Sequence, residues 1–176
     1  MLAASVYLIV LRFIHIGAGI AWAGSVFLFV LFVQPSAAAI APAGAPFMRE
    51  LLMKRKTVDK ILMIAGTSLA GGLLLYWNRW HARGSFGDWI GWRYGLAMTI
   101  GGVSAIVGFL VGLLGTRPNV GRLMALGAEI AQAGGEPSPE QGAEMKRLQG
   151  VLRMFAKTSL GFIAVAVLMM STAQYW

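Results

Sequence analysis

The sequence has no cysteine, only two histidines, and seven acidic residues in 176. Without thiols there can be no disulfides, thiolate zinc sites, iron–sulfur clusters, cysteine nucleophiles or c-type haem attachment. The same absence leaves the redox compartment unread. Charge is scarce, at 12% of residues, about half the ~25% of a soluble domain. That is too little to form the polar shell of a soluble fold of this size. The apolar stretches contain no Ser–His–acid grouping, no pair of carboxylates and no phosphate-cradling loop. The balance is therefore against an enzyme. Any catalytic role would rest on a bound cofactor, as in a haem-dependent oxidoreductase.

Apolar material is abundant: 57% of residues, with a mean hydropathy of +0.69. This excludes disorder and points to an integral membrane protein. Spanning a bilayer by helix takes ~20 mostly apolar residues, and four stretches qualify: residues 5–33, 61–78, 94–115 and 155–176. Each is too long for a strand, and four are too few for a closed barrel. The expectation is one all-α transmembrane domain over residues 1–176, a four-helix bundle with helical cytoplasmic loops at 34–60 and 116–154. The first run exceeds a signal-peptide core and lacks a basic start, so it reads as a retained helix.

The breaks carry helix-stop chemistry. Gln34-Pro35-Ser36 is expected to end the first span and Arg117-Pro118-Asn119 the third, with Pro42 and Pro46 punctuating the loop after span one. Pro46 also opens a basic amphipathic stretch, read as a surface helix leading into span two. Ser138-Pro139-Glu140-Gln141 has the pattern of a capping box with proline at the first helical position. A helix from there would run unbroken into span four, with Gly134–Pro137 as the turn before it.

Net charge is +8. The basic residues lie beside no nucleic-acid-binding signature, so no nucleic acid is expected as a partner. Eleven of them fall in the loops before spans two and four, against Arg79, Arg83 and Arg93 between spans two and three. By the positive-inside rule both termini face outward, and the protein belongs in a bacterial-type inner membrane. Small residues at helical spacing provide close-packing faces: Gly17, Ala21 and Gly24; Gly66 and Ala70; Thr67 and Gly71; Ser104, Gly108 and Gly112. Such faces serve a bundle, a homo-oligomer or a larger membrane complex. Trp77, Trp80, Trp89, Trp92, Tyr94, Tyr175 and Trp176 read as an aromatic belt at the outer interface.

One polar constellation stands inside the apolar stretches. Arg12, His15, Gly19 and Trp22, spaced three, four and three, share a face of the first span. Ionisable groups at that depth are costly and are functional candidates. Gly19 leaves room between the imidazole and the indole for a flat group. His15 lies ~4.5 Å deeper than Arg12 by helical rise. His81, Met98, Met169 and Met170 fall in the same outer half. Imidazole suits haem iron, copper or zinc, and thioether suits Cu(I) or a haem axial position. His15, with His81, Met98 and Met169 as further donors, is the candidate metal set. Haem b and copper are the candidate cofactors, with Arg12, Arg79 or Arg83 available to propionates. The competing reading is a ligand-free scaffold. On it, His15 donates to a neighbouring Ser or backbone carbonyl, Arg12 snorkels to headgroups and the methionines fill the core.

Leu11 through Ser25 resembles the first helix of several related membrane families: copper resistance protein D, the HemJ-type protoporphyrinogen oxidases and the membrane domain of PuuD-type urate oxidases. Their pattern is His, then Trp seven residues on, then a small residue and Gly; His15, Trp22 and Gly24 match it. Arg12 is closest to the urate oxidase type. The similarity covers residues 11–25 of the 176. Span three has no lysine where the HemJ type carries one. The urate oxidase type has further spans and a cytochrome domain, and copper resistance protein D is longer. The resemblance implies a compact four-helix relative in which His15 faces a metal or haem, with no substrate implied.

Overall fold

A computed structural model describes the backbone of residues 2–41 and 43–176, with side chains from residue 6 onward; Pro42 lies outside the described residues. Every regular element among them is helical. Helix α1 covers Leu2–Leu28, α2 Gln34–Ala39, α3 Gly44–Arg49, α4 Thr57–His81, α5 Phe86–Gly91, α6 Arg93–Leu110, α7 Arg117–Gln132 and α8 Pro139–Thr172. Four continuous helical rods are long and apolar enough to cross a membrane: Val6–Ala39, Thr57–His81, Arg93–Gln132 and Pro139–Tyr175.

Two of these rods correct the expected stops. The chain does not leave the helix at Pro35 or Pro118; it passes through both. Each proline sits at the start of a new helical segment, and each is preceded by a π-helical turn, Phe29–Val33 and Val111–Thr116. A proline cannot donate to the carbonyl one turn back and its ring crowds that carbonyl. Widening the preceding turn relieves the clash without ending the helix. Helices α6 and α7 thus form one rod of 40 residues, ~60 Å long and twice the ~30 Å hydrocarbon thickness.

The expected cap of the last helix is present. The Ser138 hydroxyl oxygen accepts from the Gln141 amide at 3.2 Å, and Gln141 Oε1 accepts from the Ser138 amide at 3.0 Å. Helix α8 then runs 34 residues without a break. Its first turns pair with α7 as an antiparallel hairpin closed by Ile130, Leu148 and Leu152, all buried. Gly134 and Gly135, both at positive φ, make the turn between them. Most of the basic residues gather at this end, where Arg117 Nε meets Asp59 Oδ1 at 2.7 Å. It is called the basic end below, and the opposite one the aromatic end.

Packing divides the rods into two antiparallel pairs, α1 with α4 and α6 with α8. The pairs meet at mid-height, where Trp22 of α1, Ala65 of α4, Ala105 of α6 and Ile163 and Ala166 of α8 form the core. The small-residue face of α6 is consumed in this packing. A Cβ on Gly108 would touch Ile163 and Phe162, and one on Gly112 would touch Leu62. Ser159 donates to the Gly108 carbonyl at 3.0 Å across the same seam. Gly17, Gly24 and Gly66 have open space where a side chain would begin, so those stripes are not used within the bundle.

At the aromatic end the belt is only partly a belt. Trp89 is 1% exposed. The short helix α5, capped by Ser85, turns its indole into the bundle. There the Trp89 Nε1–H donates to Thr99 Oγ1 at 3.3 Å, and Tyr76 Oη pairs with the same Thr99 oxygen at 2.8 Å. Tyr76 and Trp89 also meet edge to face, 5.3 Å between centroids, an arrangement favoured by the ring quadrupoles.

Candidate functional site

The face of α1 that carries Trp22 into the core also carries His15, two turns toward the aromatic end. Helices α1 and α4 run antiparallel there. Gly19 comes opposite Ser68, and His15 opposite Gly71 and Gly72. A Cβ on Gly72 would lie 2.7 Å from His15 Cε1 and 2.8 Å from Nδ1. The two glycines therefore create the space in which a half-buried imidazole rests directly on the backbone of α4.

Polar pairing fixes the ring. His15 Nδ1 donates to the Ser68 carbonyl at 2.8 Å, and the Ser68 hydroxyl donates back to the His15 carbonyl at 3.0 Å. A carbonyl only accepts, so the proton sits on Nδ1 and Nε2 keeps its lone pair. Among the described residues Nε2 has no hydrogen-bond partner. It is not sealed from its surroundings either, since no buried side-chain nitrogen or oxygen is left unpaired. Metal-bound histidines show this same division: one ring nitrogen anchored on a carbonyl, the other free to coordinate. The donor chemistry at His15 thus fits one axial position of a haem or one ligand of a copper ion.

The other residues named from the sequence are arranged differently. A Cβ on Gly19 would meet Ser68 Oγ at 3.2 Å. The space beside Gly19 is therefore occupied by α4, not left as a slot. Trp22 is a core residue, 6% exposed. Arg12 is exposed and has no carboxylate partner among the described residues. Arg83 lies over the Trp92 ring, 4.5 Å from its centroid.

His81 donates from Nδ1 to the Trp77 carbonyl at 3.0 Å and stacks on the Trp77 ring at 3.9 Å. It is nine residues beyond Gly72 on α4, ~13 Å along the axis, so one ion cannot be held by both imidazoles. Met98 is half-buried on α6. Met169 lines a cavity of about 300 Å³ between α6 and α8 with Arg93, Ala97 and Trp176, away from His15. Among the described residues no three His, Cys, Asp or Glu side chains converge.

Ser68 and Gly72, which orient the imidazole, are not among the site residues expected from the sequence. A signal was available: Gly71 and Gly72 lie three and four residues after Ser68, a polar and small-residue face on the span that follows His15. The buried indole of Trp89 was missed too; the flanking Ser85 and Asp88 are a helix-start pattern that places it on a short helix. Asp88 accepts from the Ser85 hydroxyl at 2.6 Å, which holds its carboxyl below the usual aspartate range.

Comparison of the chain with protein-family models, with curated proteins and with solved structures finds no match to any of them.

Proposed function

We propose that this is a four-span inner-membrane protein that binds haem b or copper through His15 Nε2, in electron transfer or in metal or haem handling. The observation that carries the reading is the divided imidazole, Nδ1 anchored on the Ser68 carbonyl and Nε2 without a partner among the described residues. The resemblance of residues 11–25 to copper- and haem-associated membrane families points the same way. When bound, either group would supply one-electron redox chemistry. Ser68 fixes the tautomer, Gly72 gives the ring clearance, and Trp22 closes the centre of the bundle beneath it. The second donor would come from a residue that moves, or from another chain. The charge asymmetry supports an orientation with the basic end in the cytoplasm and both termini outside.

A second reading has its own support. The reciprocal His15–Ser68 pair also completes a helix–helix seam without any guest, which suits a ligand-free accessory subunit. An absorption spectrum with metal analysis of the purified protein separates the two. The ligand reading expects a Soret band or about one copper per chain, lost in His15→Ala and kept in Ser68→Ala, which preserves the anchoring carbonyl. A colourless, copper-free wild type, or unchanged content in His15→Ala, would overturn it.

A further inference from the structure

At the basic end, the last turns of α1 and the first turns of α4 line an open crevice of about 300 Å³, remote from His15. Phe29, Ile61 and Ile64 form its apolar walls. Arg55 and Lys60 stand at its charged side, with Ser25 among the lining residues. The crevice lies where the apolar window of the bundle gives way to charge, since Lys60 directly precedes Ile61.

The chain makes a corner here. The π-helical turn Glu50–Lys54 ends at Arg55, and Lys56 adopts a left-handed conformation, φ 49 and ψ 44, before α4 begins. It is the one non-glycine residue with positive φ among the described residues. That corner lets Arg55 and Lys60, five apart in sequence, line one crevice. The Thr57 hydroxyl donates to the Leu51 carbonyl at 2.6 Å and steadies the turn. Glu50 shares Arg55 at 3.3 Å and Lys54 at 3.0 Å. Lys60 has no carboxylate partner among the described residues, so the crevice keeps a net positive rim.

We propose that this crevice binds one anionic phospholipid, an acyl chain against Phe29, Ile61 and Ile64 and the phosphate against Lys60 and Arg55. Basic pockets between helices at the charged membrane face are the chemistry by which anionic headgroups are held. An uncharged occupant would leave Lys60 unmatched, and a free phosphate would leave the apolar walls bare. The site is independent of any ligand at His15.

Native mass spectrometry of the full chain, released from nanodiscs of phosphatidylcholine with or without phosphatidylglycerol, tests this. The expected result is one phosphatidylglycerol retained per chain and no retained phosphatidylcholine. Lys60→Gln should weaken retention about 5-fold and Lys60→Gln with Arg55→Gln about 25-fold, given the strength of a single basic residue at a lipid surface. Lys146→Gln, which removes the same charge from the exposed side of the first turns of α8, outside the crevice lining, should leave retention unchanged. Should the double variant misfold, Ser25→Leu, which fills the crevice and keeps both cations, is expected to expel the lipid. Equal retention of both lipids, equal loss in Lys146→Gln, or competition by inorganic phosphate alone would overturn the proposal.

Discussion

At the residue scale, the arrangement at His15 rests on hydrogen atoms standing where side chains would be. The imidazole lies on α4 only because position 72 has no Cβ; one placed there would sit 2.7 Å from Cε1. Gly72→Ala is therefore expected to push the ring off the Ser68 carbonyl and destabilise the protein by about 1–3 kcal/mol. Gly66→Ala, on the same helix with nothing within 4 Å of the new carbon, is expected to be neutral or to gain up to about 1 kcal/mol from reduced chain entropy. Thermal unfolding in detergent measures both, at about 2–4 °C per kcal/mol for a chain of this size. A cycle with His15→Ala sharpens the test. With the ring removed, the cost of Gly72→Ala should vanish. A cost that persists in that background would mean the clash is with something other than the imidazole. His15 was legible from the sequence as an ionisable group in an apolar stretch. The orientation of its ring was not, because that depends on a glycine 57 positions away, brought near only by antiparallel pairing.

At the element scale, what was legible depended on whether the signal was local. The four apolar spans follow from hydropathy, and the start of α8 follows from four consecutive residues whose side chains and amides pair among themselves. The ends of the first and third spans are not legible locally, for a physical reason. Proline forbids one hydrogen bond, but a widened turn before it restores the others, and nothing in the two Pro tripeptides distinguishes a stop from a bend. The cap yields a direct prediction. Ser138→Ala removes the acceptor for the Gln141 amide and should cost about 1 kcal/mol, seen as faster amide exchange in the first turns of α8 with the membrane-spanning part unchanged. Glu140 adds a pH dependence. Its carboxylate accepts from the Ser138 hydroxyl at 2.8 Å, and this bond, with its own backbone amide next, holds its pKa below 4.5. A lowered folded value means the contribution is complete above the unfolded pKa and disappears as pH falls through the folded one. Protection of this turn should therefore hold at neutral pH and fade below about pH 4.5. The fading should be weaker in Ser138→Ala, where only the backbone amide still holds the carboxylate.

At the scale of the whole molecule, the two ends of the bundle differ in kind. The aromatic end buries Trp89 against Tyr76 and Thr99 and exposes Trp77 and Trp92; the basic end carries the α7–α8 hairpin and its lysines and arginines. That polarity bears on both proposals, because His15 lies toward one end and the Arg55–Lys60 crevice at the other. If eleven basic residues against three fix the orientation, the ligand would sit near the outer face and the phospholipid in the inner, anionic leaflet. The absence of cysteine makes this directly measurable, since each introduced thiol is the only one in the chain. Ala82→Cys lies in the exposed turn after α4, and Ala133→Cys in the exposed turn after α7. In intact cells a membrane-impermeant maleimide should label the first, and should label the second only after permeabilisation. The reverse pattern would put the crevice on the outer leaflet and His15 near the cytoplasm. The ligand would then have to be delivered from inside the cell. Equal labelling of both without permeabilisation would mean that the four apolar rods do not span a bilayer, and both proposals would fall together.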